Sequence, residues 1–265
     1  MYSKLQLAHK YIHYYLTASN GKGHGIHSPF VYNFIINVLS NTKKYAAYHQ
    51  VEQLRNYLLA NNSVLEVEDF GAGSVTKATA QRSIASICSN AAKPKKYAQL
   101  LYRIVAYYNA TTIIELGTSL GISTSYMAMA AQLGRVITCE GSTSIALQAK
   151  KNFAKLCLNN ITVLQGEFET SYSKALQECK SIDVLFIDGN HQYEPTIAYF
   201  EKALPYLHQN SIIIFDDIHW SKPMEAAWHK IKQHELVSET VDLFFIGICF
   251  FRKEQKAKQH FIIKF

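Results

Sequence analysis

The stretch TTIIELGTSLGIST, residues 111–124, decides how the rest of the chain is read. Its first half is short, β-branched-rich and apolar on both faces, as a strand buried inside a parallel sheet has to be. Gly117 and Gly121 then let the chain turn sharply into a helix and let a ligand approach the backbone, where the first helical N–H groups are free to meet it. The spacing is G-x-x-x-G, not the G-x-G-x-x-G of dinucleotide folds, which argues against an NAD-dependent dehydrogenase. Glu115, just before the turn, would accept from an ammonium and repel a phosphate, so the loop suits a ligand with a charged amino-acid tail.

Four further runs repeat the pattern of the first: RVITCEG (135–141), NITVLQG (160–166), IDVLFIDG (182–189) and SIIIFDD (211–217). Helical patterns fill the intervals, so the second half reads as an α/β, doubly wound, mostly parallel sheet. VSETVDLFFIGICFFR (237–252) predicts two closing strands separated by Gly247, close enough for an antiparallel hairpin. In such sheets ligands sit outside the carboxyl ends of the strands. The chemistry should therefore lie with Glu115 and its loop, Glu140, Gly166-Glu167, Asp188 with His191, and Asp216-Asp217. Glu140 follows Glu115 at the spacing where an acid accepts two ribose hydroxyls.

Upstream, residues 1 to about 95 read as a mainly helical extension. Leu5, His9, Ile12 and Leu16 fall at three- and four-residue steps, which predicts an amphipathic first helix whose exposed surface suits a homodimer. GKGHGIHSPF (21–30) breaks it, and Ser28-Pro29 signals a new helix over Phe30 to Leu39. His24 and His27 decorate that loop. VEDFGAGS (67–74) imitates the 115–121 loop but is followed by TKATAQRSIASIC (76–88), read as helical and not as an acid-ended strand. Residues 66–82 are thus expected to belong to the cap, with their glycines free to close over a ligand. A helix over Tyr97 to Tyr108 leads into the sheet.

The 265 residues carry 27 Lys+Arg against 20 Asp+Glu, a net charge of +7, with 48% hydrophobic and 18% charged residues, which excludes a disordered chain. The lysines lie in scattered short groups, which argues against nucleic acid as partner. Five widely spaced cysteines without a C-x-x-C pair point to a reducing, cytoplasmic compartment and not to a disulfide or zinc framework. No apolar run reaches the ~18 residues of a membrane span, and Lys4, His9, Lys10 and His13 interrupt any signal-peptide core.

With these residues in view, Lys96 to about Phe251 resembles a class I S-adenosylmethionine-dependent methyltransferase. ELGTSLGIST is similar to the cofactor loop of the catechol and caffeoyl-coenzyme A type O-methyltransferases, and IDGNHQYE resembles a methyltransferase group with a D-G-x-H-x-Y-E pattern. The resemblance implies a seven-stranded Rossmann-like sheet with the last strand antiparallel, and a methyltransferase domain over 96–265 behind a 1–95 cap. It implies that Glu115, Gly117, Thr118, Ser119, Gly121 and Ser123 hold the methionine part of the cofactor, Glu140 the ribose, and Gly166 with Glu167 the adenine. It further implies a small-molecule acceptor oriented by Asp188, Asp216 and Asp217, with or without Mg²⁺, and His191 beside Asp188 as the base. Asp217 stands where those enzymes carry an amide. Methylation of nitrogen or of a nucleic-acid base, and a cofactor-binding module without catalysis, are the rival readings.

Overall fold

The computed structural model describes residues 1–19, 21–23, 25–69, 78–255 and 257–265. In the first half the chain forms α1 (Lys4–Thr17), α2 (Pro29–Phe34), a π-helical turn Ile35–Leu39, α3 (Ala46–Leu59), the strands β1 (Val64–Asp69) and β2 (Ala78–Ser83), α4 (Ile84–Ala91) and α5 (Lys95–Tyr107). There follow β3 (Thr112–Leu116), α6 (Ile122–Ala130), β4 (Arg135–Glu140), α7 (Thr143–Lys155), β5 (Ile161–Gln165) and α8 (Phe168–Gln177). The last part holds β6 (Ile182–Ile187), α9 (Tyr193–Ala203), β7 (Leu207–Asp216), α10 (Lys222–Gln233), β8 (Glu239–Asp242), β9 (Ile246–Phe250) and β10 (Gln259–Ile262). Two compact units share these elements: Thr42–Lys180, and Met1–Asn41 together with Ser181–Phe265.

In the 42–180 unit, β3, β4 and β5 pair in parallel, with Glu115 opposite Thr138 and Glu140 opposite Gln165. This is the expected βαβ arrangement. α6 is buried along nearly its whole length, from Ile122 to Ala128. A helix of sequence ISTSYMAMA can be buried in this way only if its hydroxyls find partners. Ser125 satisfies itself by donating to the carbonyl of Gly121 at 2.6 Å. Val51, Leu54, Leu58, Ile84, Tyr102, Ile122 and Tyr126 join α3, α4, α5 and α6 into one core. The segment read as helical over 76–88 is a strand in its described first half: β2 pairs antiparallel with β1 before Ser83 caps α4. Threonine favours a strand and alanine does not, so local preference is divided, and pairing with β1 decides it. The glycine loop between them, 70–77, and His24 lie outside the described residues.

In the other unit the strand order is β10-β8-β9-β7-β6. β6 and β7 are parallel, β9 runs antiparallel to both β7 and β8, and β10 is parallel to β8. Two expectations are corrected here. Strands β3 to β10 number eight, not seven, and the antiparallel member is β9, with one more strand after it. Gly247 also lies within β9 and not in the turn. A Cβ there would stand 2.8 Å from Cη2 of Trp228, so the glycine admits the indole against the strand. The turn is made at Phe244, with φ of 71°, whose N–H donates to Oδ1 of Asp242 at 2.9 Å.

Helix α1 turns a different face inward from the one its spacing predicts. Tyr14, Ala18 and Phe244 form a buried cluster, with Leu7, Tyr11 and Phe245 packed on it. Leu5, Ile12 and Leu16 stay 85%, 58% and 74% exposed. The aromatic residues at 11 and 14 outcompete the leucines because the edge-to-face contact of Tyr11 with Phe244, centroids 5.1 Å apart, buries more area per residue. Among the described residues no helix is long and apolar enough to cross a membrane.

Candidate functional site

At the carboxyl end of β3, the Glu115 carboxyl has no exposed surface. It accepts from the hydroxyls of Ser123, Thr124 and Thr138. Thr138 in turn lies 2.6 Å from the hydroxyl of Thr118. Burial pushes the Glu115 carboxyl up to about 7, although the three hydroxyls and a more distant Glu140 act on it as well. Glu115 therefore holds the loop from beneath, and Thr118 and Ser123, 1% and 6% exposed, close around it.

The loop above is strongly bent. Gly117, Ser119 and Gly121 have φ of 102°, 47° and 81°. At Gly121 a Cβ would come within 2.3 Å of the Phe153 ring, so both conformation and space demand glycine. The N–H groups of Gly117 and Thr118 donate to the carbonyl of Cys139 at 3.0 and 3.2 Å, tying the loop to the end of β4. There Glu140 receives the N–H of Ser119 on Oε2 at 2.8 Å and that of Ser142 on Oε1 at 3.0 Å. Burial raises the Glu140 carboxyl above its usual range, opposed by these backbone donors. The Gly166 N–H reaches the Glu140 carbonyl at 2.9 Å, which brings the end of β5 alongside. Gly117, Ser119, Glu140 and Gly166 are partly accessible and Glu167, heading α8, is exposed. These are the groups a ligand can meet.

The β1–β2 pair, expected within the cap, also meets the start of α7. The carboxylate of Glu68 in β1 accepts from the N–H of Thr143 at 2.9 Å, and Ser144 donates to the carbonyl of Glu66 at 2.6 Å. β1 thus caps the N-terminus of α7, two residues beyond Glu140, with a negative charge where the helix dipole favours one. The acid of VEDFGAG was the available signal.

In the other unit, Asp188, His191 and Asp216 each place one ligand atom within 4.8 Å of the others. Nε2 of His191 is 3.8 Å from Oδ1 of Asp188. A left-handed Asn190, φ 53°, and a short Gln192 N–H to Asn190 carbonyl contact of 2.6 Å fold the chain back so that His191 returns to Asp188. Asp217 is not in this group. Its backbone is left-handed, φ 52°, and the chain leaves the strand there. Of the expected trio of Asp188, Asp216 and Asp217, the first two are brought together here, and His191 stands with them.

His219, three residues past Asp216, belongs to a separate network. Its Nε2 is 2.8 Å from Asp242 and its Nδ1 3.0 Å from Glu225, which also accepts from Tyr2 at 2.6 Å and from Lys10 at 2.9 Å. Burial works against the imidazolium, but Asp242 and Glu225 raise its pKa above the ordinary value. Trp228 donates its indole N–H to Asp242 at 3.2 Å and is core.

A family model described as a methyltransferase domain matches residues 114–218. This range begins in β3 and ends just past β7, taking in both groups of strand-end residues. Residues 114–218 are thus similar to a methyltransferase domain. A catechol O-methyltransferase of Niastella koreensis is 29% identical over 160 residues, 59% of this chain and 70% of that protein. An uncharacterized protein of Acanthamoeba polyphaga mimivirus is 34% identical over 131 residues, 45% of this chain; the chain spans 58% of that relative's length. Among solved structures, the O-methyltransferase from Bacillus cereus in complex with SAH matches with a TM-score of 0.56 at 22% identity, over 83% of this chain and 97% of that one. TomG from Streptomyces achromogenes, an O-methyltransferase in complex with SAM, gives 0.54 at 16% identity over 84% and 95%. The chain therefore shares the fold of these enzymes.

Proposed function

We propose that the methyltransferase domain transfers the methyl group of S-adenosylmethionine to an oxygen of a small-molecule acceptor. The observation that carries this is Glu140: a strand-end carboxylate inside the matched range, fixed by two backbone N–H groups and left with lone pairs for two vicinal hydroxyls. Gly117, Ser119 and Gly121 shape the backbone for the methionine part, Gly166 and Glu167 border the adenine, and Glu115 with Thr118 and Ser123 keeps the loop rigid. The relatives named as O-methyltransferases support oxygen as the acceptor atom.

Bound S-adenosylmethionine supplies an electrophilic methyl on a sulfonium. The protein's part is alignment and removal of the acceptor proton, since an in-line displacement gains most from correct placement. Asp188 and Asp216 orient the acceptor hydroxyl. With no ion bound, His191 takes its proton and Asp188 stabilises the resulting imidazolium. Two carboxylates and an imidazole drawn together also suit a divalent cation, for which Mg²⁺ is the ion the resemblance implies. The free cysteines fit a cytoplasmic setting, and the exposed Leu5, Ile12 and Leu16 of α1 fit a homodimer.

Calorimetric titration with S-adenosylmethionine tests the reading. Micromolar binding is expected, weakened in Glu140→Ala. Absence of binding in the folded wild-type protein would overturn it.

A further inference from the structure

His191 and Asp217 are the two residues that could complete a metal site with Asp188 and Asp216, and they differ in donor atom. The sequence favours three carboxylates, a hard all-oxygen set suited to Mg²⁺. The structure gathers Asp188, His191 and Asp216, and leaves Asp217 outside. An ion about 2.0 to 2.2 Å from each donor is the usual geometry for carboxylate oxygen and imidazole nitrogen. A separation of 3.8 Å between His191 Nε2 and Asp188 Oδ1 can be spanned by such an ion at an open angle. The turn holding His191 contributes a second observation: Oδ1 of Asn190, one residue away, is a buried oxygen acceptor with no hydrogen-bond partner. A buried acceptor without a donor is the kind of group that a water on a bound cation satisfies.

We propose that His191 is a metal ligand in place of Asp217, and that its nitrogen makes the site select a borderline transition ion such as Co²⁺ or Zn²⁺ over Mg²⁺. Imidazole suits these ions, whereas Mg²⁺ demands oxygen and gives up its waters reluctantly. The proposal rests on reading this strand end as the acceptor site, and it alters one role there. A coordinated imidazole has no lone pair left for a proton. In the loaded protein His191 is therefore a ligand, and the proton of a metal-polarised acceptor hydroxyl passes to a carboxylate of the site or to water.

The test is binding of the metal alone to the full chain by calorimetry, with the Co²⁺ absorption spectrum as a second readout. Wild type should bind Co²⁺ or Zn²⁺ at least about tenfold more tightly than Mg²⁺. His191→Ala should erase that preference and alter the Co²⁺ bands, while Asp217→Asn should leave both within about twofold. Equal affinity for Mg²⁺ and Co²⁺ would overturn the proposal. So would loss of binding in Asp217→Asn with none in His191→Ala, or no binding of any divalent ion to the folded protein. S-adenosylmethionine binding measured in parallel without metal keeps a failure here distinct from failure of the methyltransferase reading.

Discussion

Two groups of strand-end residues in one chain are built on opposite principles. Around Glu115, three hydroxyls close on a carboxyl with no exposed surface. At Asp188 and His191 the side chains keep 14% and 28% of their surface. A sealed cluster sets geometry, because no ligand reaches it; an open one can meet a ligand directly. The same kind of residue at the same kind of place is thus sealed in as framework in one unit and left open in the other, where the proposed reaction puts its chemistry.

The comparison breaks most visibly at Gly121. Gly121→Ala forces a Cβ into the Phe153 ring from a left-handed backbone, and should cost about 2 to 4 kcal/mol in urea unfolding. A loss below about 1 kcal/mol would mean that the loop over the sealed cluster is pliable. Glu115 gives a pH signature next. Its carboxyl is near 7 when folded, against 4.5 for an ordinary glutamate, so between these values the folded state holds the proton more firmly than the unfolded chain. That stability is fully present below about pH 4.5 and is lost as pH rises through about 7, a decline of up to about 3 kcal/mol. Denaturation midpoints from pH 5 to 8 should show the slope in wild type and lack it in Glu115→Gln.

Glu140 lies between the two kinds, partly accessible yet held by backbone donors. Glu140→Ala should raise the dissociation constant for S-adenosylmethionine about 10- to 100-fold, some 1.4 to 2.8 kcal/mol. Unchanged affinity would place the ribose elsewhere. At the small end, Leu5→Lys with Leu16→Lys should shift unfolding by no more than about 0.5 kcal/mol per site, since both side chains are exposed. Light scattering of the same variant against wild type asks whether that face carries a homodimer; a wild-type mass equal to the monomer would end that expectation.

The sheet was legible because its strands are continuous apolar runs bounded by glycine, a pattern few other structures produce. β3 to β7 all fall where the runs predict them. The carboxyl-end acids were legible for the same reason, since the fold dictates where strand ends matter. What escaped the sequence depends on partners far along the chain. β2 is a strand only because β1 pairs with it, and β10 only because β8 does. The approach of His191 to Asp188 and Asp216 goes with a left-handed Asn190, and Asp217 is left-handed too; Asn and Asp enter that region more readily than other non-glycine residues, but their sequence does not say which of them do. On α1, spacing identified an apolar stripe, but Phe244, more than 200 residues away, decided which stripe is buried.

The unit containing α1 has a consequence for the order in which the chain is made. Tyr14 bonds to the carbonyl of Ile263, Tyr2 and Lys10 to Glu225, and Ser19 bridges to Ile263. Residues 42–180 form a unit that is continuous in sequence. Residues 1–41 have to wait until synthesis has passed 181–265, some 10 to 50 s at about 5 to 20 residues per second. During that delay Leu7, Tyr11 and Tyr14 of α1 lack the Phe244 and Phe245 surface on which they pack.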